Sequence, residues 1–170
     1  MIQDIVFYGI IAVCWLLCQC FGNSLGITWI LPVLSVLWLL FDKVLWRCIS
    51  PKIIRQYKLY GNWHGTLYYK YRGKTGSKEV RLTIKQTFLN TAVHIKTDEM
   101  VGKSLVSKWH FDQDKLFYIY QTDPKTEVKD QNPIQYGGAQ IKINPDNMNE
   151  IRIEYWTDRN TKGHMELKRC

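Results

Sequence analysis

From Gly61 to the end of the chain the hydrophobic period is two. Trp63, Gly65, Leu67, Tyr69 and Tyr71 alternate with His64, Thr66, Tyr68 and Lys70. The alternation returns as Val80, Leu82 and Ile84; Thr91, Val93 and Ile95; Leu105, Ser107, Trp109 and Phe111; Ala139, Ile141 and Ile143; Ile151, Ile153 and Tyr155; and Met165 and Leu167. Leu116 to Thr122 (LFYIYQT) starts apolar on both faces. Successive side chains of a strand point to opposite faces, so this pattern predicts eight half-buried strands and no long helix. The turn-rich segments RGKTGS, DEMVG, DQDK, DPKTEV to QYGG, NPDN and DRNTKG separate them. Short turns join antiparallel neighbours. Eight such strands close into an up-and-down antiparallel β-barrel, which leaves no edge; a sandwich of two four-stranded sheets is the alternative.

The residues before Gly61 follow a different rule. Residues 1–41 hold 30 hydrophobic residues and a single charge, Asp4. Ile5 to Phe21 (IVFYGIIAVCWLLCQCF) is an uncharged run, and Ile27 to Phe41 is a second, extended by Val44, Leu45 and Trp46. Gly22-Asn23-Ser24-Leu25-Gly26 separates them. At about 1.5 Å per residue each run approaches the thickness of a bilayer, and so short a break allows only an antiparallel hairpin. A single long re-entrant segment is one alternative, and a signal peptide followed by a buried helix is another. The second lacks a basic start and a small-residue cleavage site after Phe21. The expectation is a membrane-anchored all-β protein: a two-helix transmembrane hairpin over 1–48, a juxtamembrane linker over 49–60 and a barrel over 61–170. Lys43, Arg47, Lys52, Arg55 and Lys58 follow the second run, whereas the turn at 22–26 carries no basic residue. The basic side faces the cytoplasm, so both termini of this multi-pass protein are expected there. Ile53, Ile54 and Tyr57 share a face of the linker, as in an amphipathic segment near anionic lipid.

The interior of an eight-stranded barrel is filled by side chains or holds one small ligand. Gly61-Asn62-Trp63 resembles the opening G-x-W of lipocalin and avidin-like barrels. In those families the Trp packs at the closed end under an Arg from a late strand. Arg169 has the inward parity of Met165 and Leu167, so Trp63 and Arg169 are the expected closure of the barrel. The opposite end is then the mouth. Its inward positions include Tyr69, Tyr71, Thr97, Ser107, Tyr120, Thr122, Tyr155 and Thr157, the candidate ligand-binding set. Tyrosine faces stack on nucleobases, and hydroxyls bond base edges and phosphates. Packing of the barrel is the plain alternative for each of these tyrosines. The segment Asp123 to Gly138 is a candidate lid.

Catalytic patterns are missing. His64, His94, His110 and His164 all have outward parity, with no zinc-site spacing, so no metal is expected. Cys170 is terminal, which leaves no expected Cys-His or Ser-His-Asp arrangement. Gly73-Lys74-Thr75 lacks the first glycine and the following helix of a P-loop. Neither an enzyme nor a cofactor is expected. Of the net charge of +8, the barrel from Leu59 onward carries 18 basic and 13 acidic residues. Basic and acidic groups are mixed around the mouth, which argues against nucleic acid as the partner.

The two spans IVFYGIIAVCWLLCQCF and ITWILPVLSVLWLLF, the linker RCISPKIIRQY and the barrel opening YGNWHGTLYYKY together resemble one family. These are the two-transmembrane β-barrel effectors of bacterial CBASS antiphage systems, the SMODS-associated β-strand-rich effectors. The resemblance implies that the barrel binds a cyclic dinucleotide second messenger. A partner nucleotidyltransferase of the CD-NTase type makes it after infection. It also implies that the effector forms a homo-oligomer, disrupts the inner membrane and so aborts infection. A membrane-anchored, lipocalin-like carrier of a small apolar ligand is the alternative; Thr97, Ser107, Thr122 and Thr157 make the mouth polar for such a cargo.

Overall fold

The computed structural model describes residues 8, 9, 12, 15, 30–49, 57–110, 113–130 and 132–170. The chain divides into two compact units, Met1–Gln56 and Tyr57–Cys170.

In the first unit, helix α1 (Ile30–Lys43) is followed by a 3-10 turn, Leu45–Cys48. Pro32 sits in the first turn, where a missing N–H costs little, and Lys43 in the last, where a cation suits the helix dipole. Trp38 and Phe41 stack at 5.8 Å. Fourteen residues extend about 21 Å. Among the described residues no helix is long and apolar enough to cross a membrane. Val44 has left helical geometry (φ −129°), so Leu45 and Trp46 belong to the 3-10 turn and do not prolong α1 as the sequence suggests. Most of the expected first span, and residues 50–56 of the expected linker, lie outside the described residues.

The second unit is a closed barrel in which every strand pairs with its sequence neighbour and β1 pairs with β8. Its strands are β1 (Gly61–Tyr71), β2 (Lys74–Gln86), β3 (Thr91–Lys96), β4 (Met100–His110), β5 (Lys115–Pro124), β6 (Gln135–Ile143), β7 (Glu150–Thr157) and β8 (Lys162–Arg169). All pairings are antiparallel. A single closed sheet replaces the alternative of two packed sheets. The predicted inward residues form one core: Trp63, Val80, Leu82, Ile84, Val93, Leu116, Ile141, Ile153, Met165 and Leu167 are all buried. Only Arg72 and Gly73, both at positive φ (48° and 80°), join β1 to β2, the geometry of a tight hairpin.

Two expectations about the mouth change. First, the register slips between Ser104 and Val106, a β-bulge that turns Leu105 and Val106 outward together, 60% and 57% exposed. Leu105 is therefore on the outer wall, not in the lining. Two adjacent apolar residues carry no parity signal, so alternation could not reveal the slip. Second, β5 runs on to Pro124 and β6 starts at Gln135, so the candidate lid shrinks to the connection between them. That connection includes a 3-10 turn, Thr126–Val128.

The residues preceding β1 close one end of the barrel. Leu59 is fully buried. The Gln86 carboxamide oxygen accepts from the Leu59 and Tyr60 amides at 2.8 and 3.2 Å, and its nitrogen donates to the Tyr57 carbonyl at 2.8 Å. Trp63 Nε1 donates to the Leu59 carbonyl at 3.0 Å. Arg169 Nη2 donates to the Lys58 carbonyl at 2.7 Å, and its guanidinium lies 4.7 Å from the centre of the Trp63 ring. Tyr57 donates its hydroxyl to Asp114 at 2.7 Å. The buried amides of this plug are thus met by one buried amide side chain and one guanidinium, as burial of polar groups requires.

Candidate ligand-binding site

At the end of the barrel opposite the plug lies a cavity of about 300 Å³, of the size that small-molecule sites occupy. Its floor is apolar, from Leu67, Ile95 and Met165, and its walls are aromatic, from Tyr69, Tyr71, Tyr120 and Tyr155. Register explains how three of the four tyrosines leave space between them. Tyr69 pairs with Gly76, Tyr120 with Gly137 and Tyr155 with Gly163. A Cβ on Gly76 would lie 2.4 Å from the Tyr69 hydroxyl, and one on Gly137 2.7 Å from that of Tyr120. A Cβ on Gly163 would lie 3.0 Å from the Tyr155 hydroxyl. Each ring lies back across a glycine of the neighbouring strand, so aromatic faces line the wall while the centre stays open.

Burial raises the phenol pKa values of Tyr120 and Tyr155. Tyr118, which is fully enclosed one inward step below Tyr120, is raised for the same reason. These tyrosines are neutral across the physiological range. The Tyr118 hydroxyl and the Thr157 hydroxyl are buried with no hydrogen-bond partner among the described residues. A buried orphan hydroxyl is costly, and one that lines a cavity is a place for a ligand or water to bond.

The rim carries charge. Lys78 Nζ lies 5.6 Å from the Tyr69 ring centre and 2.5 Å from the Glu99 carboxylate. Arg159 donates to the Tyr71 hydroxyl at 3.1 Å and covers its ring at 5.3 Å. Arg72 lies over the same ring at 5.2 Å. Asn132 and Gln135, hydrogen-bonded to each other, complete the lining from the β5–β6 side.

Seven of the eight residues expected at the mouth line this cavity: Tyr69, Tyr71, Thr97, Tyr120, Thr122, Tyr155 and Thr157. Four of them spend their hydroxyls locally: Tyr120 donates to the Trp156 carbonyl at 3.4 Å and Tyr155 to the Tyr68 carbonyl at 3.5 Å. Thr97 bonds the Met100 backbone (3.2 and 3.4 Å), and Thr122 bonds the backbone of Gln135 (3.3 and 3.4 Å). Ser107 does not line the cavity. It faces Tyr118 low in the barrel and donates to the Thr91 carbonyl. Its inward parity holds, but β4 begins at Met100, within the segment read as a turn, so Ser107 lies deeper than a strand starting at Leu105 would place it. Sequence reasoning missed Gly76, Gly137 and Gly163, because a strand glycine reads as a weak point until its cross-strand partner is known. It also missed Asn132 and Gln135, hidden in what read as a loop. Among the described residues no cluster of three His, Cys, Asp or Glu is arranged to hold a metal ion. His64 Nδ1 does approach Cys170 Sγ, at 3.3 Å on the outer wall, a contact not expected from a terminal cysteine.

Aromatic walls, neutral hydroxyls and rim cations suit a ligand with flat apolar faces and anionic edges. The family model of the Cap15 cyclic dinucleotide receptor domain matches residues 57–169. This chain belongs to that family. The matched range begins at Tyr57, so the family unit includes the plug as well as the eight strands. The CD-NTase-associated protein 15 of Staphylococcus schleiferi is 32% identical over 132 residues, covering 76% of this chain and 70% of that protein. The resemblance to CBASS effectors drawn from the sequence is borne out.

Proposed function

We propose that this chain is a CBASS antiphage effector whose barrel binds a cyclic dinucleotide in the tyrosine-walled cavity. The observation that carries the proposal is the cavity itself. Three tyrosines laid back on glycines expose their faces, and Lys78 and Arg159 stand at the rim. Bases stack on the tyrosines. Arg159 and Lys78 meet the phosphates, with Lys78 exchanging Glu99 for the ligand. Thr157 gives its unpartnered hydroxyl to a base or ribose. A CD-NTase-type nucleotidyltransferase is the source of the messenger.

The output is assigned to residues 1–48. Their two apolar runs form a hairpin in the inner membrane, residues 49–60 are the juxtamembrane link, and both termini are cytoplasmic. A two-helix protomer cannot enclose a pore, so permeabilisation requires a homo-oligomer. A ligand drives that assembly only if the oligomer binds it better than the monomer does.

The test is co-expression with a cyclic dinucleotide synthase, reading membrane potential in cells. Depolarisation is expected for the wild-type chain and its loss for Tyr155→Ala. Unchanged potential with an active synthase and a membrane-localised wild-type chain contradicts the proposal. That result, with extraction of lipid by the purified chain, favours the carrier reading.

A further inference from the structure

The outer wall of β4–β7 carries an apolar row with charged rows on both sides of it. Val106 pairs with Ile119, Ile119 with Gly138, and Gly138 with Trp156. The Trp156 ring lies over Gly138, where a Cβ would be 2.4 Å from it. Val106, Ile119 and Trp156 are 57%, 52% and 52% exposed, and Leu105 and Tyr136 adjoin them at 60% and 50%. The bulge in β4 doubles the apolar surface at one end of the row by turning out two residues in succession. A contiguous exposed apolar patch of this kind marks an interaction surface.

The flanking rows identify the occupant. Towards the mouth the row runs Lys103, Gln121, Tyr136, with Asp158 held against the Tyr136 amide. Towards the plug it runs Lys108, Phe117, Gln140, Glu154. In the row towards the mouth the lysine stands on the β4 side and the carboxylate on the β7 side; in the row towards the plug Lys108 stands on the β4 side and Glu154 is paired with Lys142 of β6. A surface with this handedness is complementary to itself. A two-fold axis parallel to the strands, between β5 and β6, lays the apolar row on its own copy. It sets each lysine of β4 against a carboxylate of the partner's β7 side. The wall carries both signs, Lys103 and Lys108 as well as Asp158 and Glu154, so it offers an anionic bilayer no cationic face. The same axis keeps the plug ends of both barrels, where the chain enters at Tyr57, on one side.

The geometry points to the β4–β7 wall as the isologous surface through which two copies of this barrel associate. The inference rests on the self-association proposed above and assigns it a face. Glu154 already bonds Lys142 at 2.6 Å, so Lys103 against Asp158 is the sharper pair.

Sedimentation velocity of the full chain in detergent tests this, with and without an equimolar mixture of cyclic di-AMP, cyclic di-GMP and cyclic GMP–AMP. Ile119→Lys and Leu105→Lys change exposed positions and should leave nucleotide affinity within about twofold. Each should weaken association by about tenfold or more. Lys103→Glu and Asp158→Lys should each weaken association, and mixing the two variants should restore it, because both contacts are then between opposite charges. Association of both apolar variants at the wild-type strength overturns this surface while leaving self-association standing. A wild-type chain that binds nucleotide yet stays monomeric overturns self-association itself. Loss of flotation with anionic vesicles in Ile119→Lys, with association unchanged, makes lipid the occupant and overturns the second copy.

Discussion

Thr157 sets two demands against each other within one residue. Its hydroxyl is buried beside the cavity and bonds no described group. Replacing it with valine removes an unsatisfied polar atom at nearly constant shape, so Thr157→Val should melt at or slightly above the wild-type temperature. A gain of up to roughly 1 kcal/mol is expected. Cyclic dinucleotide affinity should fall in the same variant. A variant that loses stability and keeps affinity would make Thr157 a packing residue. Tyr57 tests the plug by titration. Its hydroxyl bond to Asp114, aided by burial, raises its pKa from 10.0 to about 12. A group whose folded pKa is raised stabilises the fold fully below pH 10 and loses that contribution as pH climbs towards 12. Phenolate absorbance should therefore show a late-titrating tyrosine that Asp114→Asn moves to lower pH.

At the scale of elements, the glycine–tyrosine pairs separate room from stability. At Gly76 the atoms nearest an added Cβ all belong to the Tyr69 side chain, which can swing inward; at Gly137 the nearest is the Trp156 carbonyl oxygen at 2.2 Å. Gly76→Ala should keep the fold and lower ligand affinity by filling the cavity with the Tyr69 ring. Gly137→Ala should be destabilising as well, by roughly 1–3 kcal/mol, because backbone must move. Thermal melts and calorimetry on the two variants distinguish these outcomes. Gln86→Leu should cost on the order of 3 kcal/mol, since two amides and a carbonyl of the plug lose their partner together. The strands themselves were legible from alternation, because a barrel buries one face of every strand. The inward tyrosines were legible for the same reason. The bulge at Ser104–Val106 was not, as Leu105 and Val106 are both apolar. Nor was the reach of β5 and β6 past Thr122 and before Ala139, where Pro, Gly and Asp read as turn. The space between the tyrosines depends on cross-strand register, which no single strand records.

For the whole molecule, the division is between a barrel proposed to sense and an N-terminal unit proposed to act. The chain's net charge of +8 is +4 over residues 42–58 and +5 over the barrel, less Asp4. At the mouth Arg72, Lys78 and Arg159 stand beside aromatic rings, and on the β4–β7 wall Lys103 and Asp158 stand on opposite sides. Binding at the mouth and association through the wall are thus separate surfaces of one closed sheet, joined through β5 and β7. Tyr120 and Ile119, like Tyr155 and Trp156, are adjacent residues on opposite faces of those strands.

The central claim is that a cyclic dinucleotide occupies the tyrosine-walled cavity. Titration calorimetry of the full chain in detergent against cyclic di-AMP, cyclic di-GMP and cyclic GMP–AMP tests it most directly. Saturable binding of at least one is expected, weakened by about 1–3 kcal/mol in Tyr120→Ala and again in Tyr155→Ala. Binding that survives both substitutions unchanged, or no binding to any of the three, would contradict it.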